Sequence, residues 1–253
     1  MKKESTEYLA EPKLDRKLSI IVVAYNQINF TKSLVKDLMK LPSQVEIIVV
    51  DNNSSDNTEE EMINLVASCQ EGKATITYIK SQVNEMHSGG CNLGLQNSVG
   101  EVVLFLNNDV RVKSDHEAWW EKVMEIPEDV LAGPTFGYLQ ADGSFIKESD
   151  KLESAPHVYL SGWCLAARRS TLEKLVCSRE TPTPEVWRHA WFYFNDCELS
   201  HRAKKQGISL QSLPLPLSHF RMVTTKKYCD VNKLYLEGKV RFNKMLAEEK
   251  GNS

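Results

Sequence analysis

Polar and apolar positions alternate along the first half of the chain in blocks. Leu18 to Tyr25 (LSIIVVAY) and Val45 to Val50 (VEIIVV) are nearly continuous in aliphatic and β-branched residues, with polar residues on either side. That pattern predicts strands buried on both faces, as in a parallel sheet. Between them, Phe30, Leu34, Leu38 and Leu41 recur at helical spacing and Pro42 stops the run, which predicts a helix over 29–41. Asp56 to Cys69 reads as a second helix, with Asp56 and Glu59 as a capping box. Its Glu59, Glu60 and Glu61 complement the helix dipole. Ala74 to Ile79 is a third strand, a Gly-rich loop and helix occupy 87–99, and Glu101 to Leu106 (EVVLFL) is a fourth buried strand. A helix follows over 114–126. Strand and helix thus alternate through residue 106, the mark of a doubly wound α/β sheet.

The second half is less regular. Ala-Asp-Gly-Ser within 138–147 predicts a hairpin turn. The stretch 157–167 reads as one mixed strand, and 170–177 and 196–206 as helices, the latter closed by Gly207. A short strand is expected over 208–213. In 231–249 apolar and charged residues alternate at helical spacing, which predicts a packing helix. No internal repeat is present.

Composition narrows the classes. The chain has 253 residues, 42% hydrophobic and 26% charged, as expected of a globular protein. Its formal net charge of −3 argues against a broad basic face for nucleic acid. The polar start lacks a signal-peptide core, and no apolar run approaches the roughly 20 residues of a membrane span. The six cysteines include no Cys-x-x-Cys pair, which suits a reducing cytosol rather than a disulfide or zinc scaffold.

Ligands of open α/β sheets bind beyond the carboxyl ends of the strands. Those ends carry Tyr25-Asn26, Asp51-Asn52-Asn53, a loop with Asn84 and Gly89-Gly90, and Asn107-Asn108-Asp109. Asn and Asp also favour ordinary turns. Recurrence at several strand ends on one edge points instead to a polar cleft. At the rim of a rigid strand, Asp109 is suited to Mg2+ or Mn2+, or it simply ends the strand in a turn.

LSIIVVAYN, VEIIVVDNNSSDNT and GGCNLGLQNSVGEVVLFLNNDV, in this order and spacing, resemble the nucleotide-binding half of the family 2 glycosyltransferases. The match is close from residue 18 to about 113 and looser to about 222. The resemblance implies a GT-A fold: a Rossmann-like, mostly parallel central sheet flanked by helices, with a smaller antiparallel acceptor-side region. It implies an inverting transfer from a nucleoside-diphosphate sugar to a saccharide or lipid-linked acceptor, in polysaccharide synthesis on the cytoplasmic side, with peripheral membrane contact left open. The implied organisation is a polar arm (1–17), a donor half (18–113), an acceptor half (114–227) and a helical tail (228–253).

It also implies roles. Ala24, Tyr25 and Asn26 would line the nucleotide pocket, and Asp51 would contact the base with Asn53 nearby. Residues 107–109 stand in the Asp-x-Asp place, with Asn107 and Asn108 beside the donor and Asp109 as the remaining carboxylate for a divalent cation. Asn at the first position is familiar in the subgroup with rhamnosyltransferase-like members. His87 to Gly90 resembles a phosphate-cradling helix start, with Asn92 in the same set. Trp163, after Ser161-Gly162, would face the donor sugar or pack in the core.

Phe194-Asn195-Asp196-Cys197-Glu198 resembles the segment with the catalytic base, making Asp196 the base, with Asn195 where a Glu is common. Without the resemblance Asp196 reads as a helix cap. Glu198 and Arg202 would support the acceptor side; Glu198 also reads as a first-turn acid. Trp187, Trp191, Tyr193 and Phe194 suit either sugar stacking or a core. His219 would complete the metal site, and Arg221, Lys226 and Lys227 would close over the diphosphate. A nucleotidyltransferase is disfavoured, since AYNQINF (24–30) has no Lys or Arg to grip a triphosphate. A non-catalytic sugar-binding module, with Asn107 and Asn195 as decayed positions, is the reading of another class. The catalytic reading requires Asp51, Asp109 and Asp196 to converge on one pocket.

Overall fold

The computed structural model describes residues 6–8, 17–113, 119–178, 184–188, 192–220 and 227–251. Its centre is an eight-stranded sheet in the order β1 (Thr6–Tyr8), β4 (Thr75–Lys80), β3 (Val45–Asp51), β2 (Leu18–Ala24), β5 (Val102–Asn107), β11 (Cys164–Arg168), β7 (Val130–Gly133), β12 (Ser209–Ser212). The first half supplies β2 (Leu18–Ala24), β3 (Val45–Asp51), β4 (Thr75–Lys80) and β5 (Val102–Asn107), all mutually parallel. The interleaved helices are α1 (Ile28–Leu38), α2 (Thr58–Ala67) and α3 (Met86–Gln96). The strands are apolar throughout because both faces are covered. Ile20 and Val22 pack with Leu34, Leu38 and Met62 on one side, while Ile21, Ile48 and Phe105 pack with Cys91 on the other. Backbone from the polar arm, Thr6–Tyr8, adds β1 antiparallel to β4, so the arm is not wholly free of the sheet.

α3 lies against β2 at glycine distance. A Cβ at Gly90 would stand 2.6 Å from Val23 Cγ1, and one at Gly94 2.4 Å from Ile21 Cγ2. Gly90, expected beside the donor, therefore has a packing role. Gly94→Ala gains helix propensity of up to about 1 kcal/mol, yet is expected to destabilise because overpacking costs about 1–3 kcal/mol. An unchanged urea midpoint for this variant would contradict the close packing.

Two helix and strand expectations change. Asp56 does not form a capping box with Glu59. Its Oδ2 accepts Ile28 N at 3.1 Å and its Oδ1 accepts Thr58 Oγ1 at 2.5 Å, while Glu59 pairs with Lys80 at 2.5 Å. The carboxylate thus ties the starts of α1 and α2 together. The mixed strand over 157–167 is two strands in different sheets, β10 (His157–Leu160) and β11 (Cys164–Arg168), broken at Ser161-Gly162-Trp163. β11 pairs antiparallel with β5 and β7 (Val130–Gly133), and β12 (Ser209–Ser212) runs parallel to β7.

A smaller antiparallel sheet, β10-β8-β9, contains the expected hairpin between β8 (Phe136–Leu139) and β9 (Phe145–Ser149). Two further short strands, β6 (Val110–Val112) and β13 (Leu217–His219), pair antiparallel. Helices α4 (Trp119–Met124) and α5 (Arg169–Lys174) flank the large sheet. α6 (Asn195–Lys205) ends at Gly207, whose φ of 76° fits the left-handed C-cap. The tail helix α7 (Val231–Gly251) packs as expected: Phe242 is sealed among Leu139, Tyr159, Phe194 and Cys197. All six cysteines are unbridged, and no helix among the described residues is long and apolar enough to cross a membrane.

Candidate active site

The parallel strands end on one edge, and the backbone there is unusual. Among the described residues six non-glycines have positive φ; Asn26, Gln27, Asn53, Met86 and Phe194 lie at this edge or at a helix start facing it, and Asp129 lies elsewhere. Such conformations cost of order 1–3 kcal/mol each and persist where surrounding contacts hold them. Here Asn26 is the organiser. Its Oδ1 accepts Ser55 N at 2.8 Å, and its own N–H donates to Ser54 Oγ at 2.7 Å.

β6 and β13 build the centre of the site. Their register sets His219 opposite Val110, next to Asp109 at the end of β5. His219 Nε2 lies 3.0 Å from Asp109 Oδ1 and 3.4 Å from Asn107 Nδ2. The imidazole stacks on Trp163, with centroids 5.1 Å apart and planes inclined by 10°. Trp163 carbonyl in turn accepts Asn107 N at 2.9 Å. The break between β10 and β11 therefore serves both sides of the cleft, since its next residue back, Gly162, donates its N–H to Asp196 Oδ2 at 2.9 Å. The Asp196 Oδ1 accepts the Cys197 N–H at 2.9 Å. Burial raises the Asp196 pKa above the ordinary carboxylate value, and these amide donors oppose the shift.

Asp109 and His219 offer one carboxylate oxygen and one imidazole nitrogen at a common point. Among the described residues no group of three His, Cys, Asp or Glu comes together. This donor pair fits Mn2+ or Mg2+ bound with open positions for phosphate oxygens and water, rather than a closed structural site.

Several expected residues are placed otherwise. Asp51 is fully buried, its Oδ2 accepting Tyr78 Oη at 2.7 Å and its Oδ1 accepting Ser54 N at 2.8 Å. It shares the edge with Asp109 but sits two strands away, roughly 10 Å by strand spacing. Ala24 is buried in the core beneath that edge. Tyr25 is half-buried and meets Tyr228 edge-to-face at 5.6 Å, and Asn53 is exposed. Asn108 turns inward to donate to Thr31 Oγ1 of α1 at 3.0 Å. Asn92 clamps backbone: its Oδ1 accepts Trp187 N at 2.9 Å and its Nδ2 donates to Trp187 O at 2.7 Å.

Glu198 is 1% exposed and bonded to Arg188 Nε at 2.7 Å and Arg202 Nη2 at 2.8 Å. Two residues on from Asp196, it lies on another face of α6, beside a cavity of about 310 Å³ that also borders His201, Lys205 and Glu249. Trp187 is sealed in the core, and Tyr193 and Phe194 pack on α7. Lys227 Nζ lies 5.2 Å from the Tyr228 ring centroid. Trp191, Arg221 and Lys226 lie outside the described residues. The aromatic contacts of Tyr228 on Tyr25 and of Phe220 on Phe30 have no sequence signal, because they join residues about 190 or more positions apart.

The model of the family described as Glycosyl transferase family 2 matches residues 19–177. An uncharacterized glycosyltransferase of Rickettsia conorii is 28% identical over 134 residues, 53% of this chain and 21% of that protein. The amylovoran biosynthesis glycosyltransferase AmsB of Erwinia amylovora is 25% identical over 222 residues, 83% of this chain and 71% of that protein. The chain thus spans about a fifth of the Rickettsia relative's length. Among solved structures, the mannosyltransferase PcManGT from Pyrobaculum calidifontis, in complex with GDP-Man and Mn2+, is similar at a TM-score of 0.55 and 13% identity, over 81% of this chain and 56% of that one. That likeness shows the fold, which is of the GT-A type.

Proposed function

This chain belongs to glycosyl transferase family 2, and from that premise we propose that it moves a sugar from a nucleoside-diphosphate sugar to a hydroxyl of a saccharide or lipid-linked acceptor, with inversion and with Asp196 as general base. The observation that carries this reading is the Ser161-Gly162-Trp163 break. Through it one backbone segment touches both Asp196 and, by the Trp163–His219 stack, the Asp109 pair.

Asp109 and His219 would hold a divalent cation, Mn2+ or Mg2+, which when bound neutralises charge on the leaving diphosphate. Asp196 Oδ takes the proton of the acceptor hydroxyl as its oxygen bonds to the anomeric carbon. The bond from that carbon to the diphosphate oxygen breaks, and the electron pair leaves with the nucleoside diphosphate. Gly162 N–H holds the carboxylate oriented during proton transfer. Trp163 offers a flat apolar face beside the reacting sugar. Division of the chain at about residue 113 into donor and acceptor halves, and action on the cytoplasmic side of a membrane, belong to the same proposal.

Release of nucleoside diphosphate from UDP-, dTDP- and GDP-sugars, with and without Mn2+, tests the activity. Chelation is expected to lower the rate and Mn2+ to restore it; Asp109→Asn should lose both the rate and the Mn2+ binding seen by electron paramagnetic resonance. The pH profile has a definite sign. A general base works when deprotonated, so kcat/KM is expected to hold at neutral pH and to fall as pH drops through the burial-raised pKa of Asp196. A rate that rises on acidification would remove Asp196 from this role.

A further inference from the structure

His87 and Asn195 meet across the cleft and have no part in the chemistry above. They lie at the starts of α3 and α6, 108 residues apart, with Asn195 Nδ2 3.2 Å from His87 Nδ1. The direction of this bond is fixed by its neighbours. Asn195 Oδ1 accepts the N–H of Asp196 at 2.8 Å, so the amide nitrogen is the donor, and it also reaches Ser88 Oγ at 3.1 Å. His87 Nδ1 therefore accepts, and the proton of the neutral ring sits on Nε2. Burial lowers the ring's pKa to about 4, which keeps it neutral. The same ring bonds the Asn107 side chain, whose amide nitrogen lies 3.4 Å from His219 Nε2; the proton on Nε2 goes to the Asp109 carboxylate 3.0 Å away, so the Asn107–His219 step is a packing contact. A continuous path of side chains thus runs from Asp109 to the residue that holds the Asp196 backbone.

We propose that His87 and Asn195 are positioning residues, a neutral bridge that keeps the Asp196 carboxylate in register with the Asp109–His219 pair. Asp196 is the second residue of α6, one step beyond Asn195 and two beyond Phe194, whose φ is 66°, so the turn that aims the carboxylate needs outside contacts to hold it. Two acids already face the cleft, and an amide–imidazole bond sets their separation without adding a charge. The inference rests on Asp196 being the base.

The test is kinetic, on the full chain. Misplacing a reacting group by about 1 Å can cost about 10²-fold, so His87→Ala and Asn195→Ala are each expected to lower kcat about that far, with donor affinity nearly unchanged and only a modest fall in melting temperature from the lost buried hydrogen bonds. The double variant should lose little more than either single one, because both break one bridge. His87→Asn keeps an acceptor near the Nδ1 position but loses the Asn107 contact and should recover kcat in part, whereas His87→Gln, which extends toward Nε2 and leaves Asn195 without its acceptor, should not. Full kcat in His87→Ala, additive losses in the double variant, equal recovery by Gln, or a loss confined to donor affinity would each overturn the bridge. If Asp196→Asn itself stays active, the base assignment fails first; if that variant is dead while His87→Ala is fully active, only the bridge fails.

Discussion

Asp196→Asn is expected to lower the transfer rate by about 10²–10⁴-fold, the usual contribution of a positioned general base. The amide keeps the carboxylate's shape and still offers an oxygen to the Gly162 N–H, so donor affinity should persist. The stability consequence is separate from the activity loss. A folded-state pKa above the unfolded value means the folded protein binds the proton more tightly, so the ionised group costs stability at neutral pH, and this cost disappears as pH falls. The neutral Asn variant escapes that cost but turns its NH2 toward the Cys197 N–H that the second carboxylate oxygen accepts; the two effects oppose, so its melting temperature should stay close to the parent's. A fully active enzyme with a lowered melting temperature would indicate a structural carboxylate that only holds the Gly162 and Cys197 N–H groups, rather than a base. Transfer assayed by nucleoside diphosphate release and melting followed by circular dichroism read the two effects separately.

Glu198→Ala is expected to be the costliest substitution for the fold, by about 3–5 kcal/mol, the range for removing one partner of a buried ion pair. The carboxylate is 1% exposed and shared by two guanidinium groups. Arg202 is itself only 13% exposed and also donates to the carbonyls of Leu175 and Val186. Without Glu198 its charge is left among carbonyls with no anion. Arg188, at 42% exposed, can turn toward water, so it adds less to the cost. Urea unfolding reads the change directly. A loss below about 1 kcal/mol, the scale of a surface pair, would show that water reaches the cluster freely and that Glu198 and Arg202 are open to serve the acceptor instead.

Glu198 also shows why the site was only partly legible. A motif fixes residue types in order, and an acid in the first turn of a helix reads alike whether it faces an acceptor or an arginine. Asn92 and Asn108 repeat the point: an amide suited to a sugar hydroxyl is equally suited to a neighbouring backbone or to Thr31, and only the packing of α3 and β5 assigns it. The break at Ser161-Gly162-Trp163 was hidden because apolar residues continue on both sides and no proline marks it.

The sequence by itself determined the parallel core and the edge where polar chemistry collects. Strands covered on both faces must be apolar without interruption, and the residues that follow them must leave the sheet at its carboxyl end. Those are local rules, readable from LSIIVVA, VEIIVV and VVLFL alone. The tertiary structure decided which side chains share a cleft. His219 reaches Asp109 because β13 pairs with β6, and Asn195 reaches His87 because two helix starts abut; both contacts join residues more than a hundred positions apart, where no periodicity carries information.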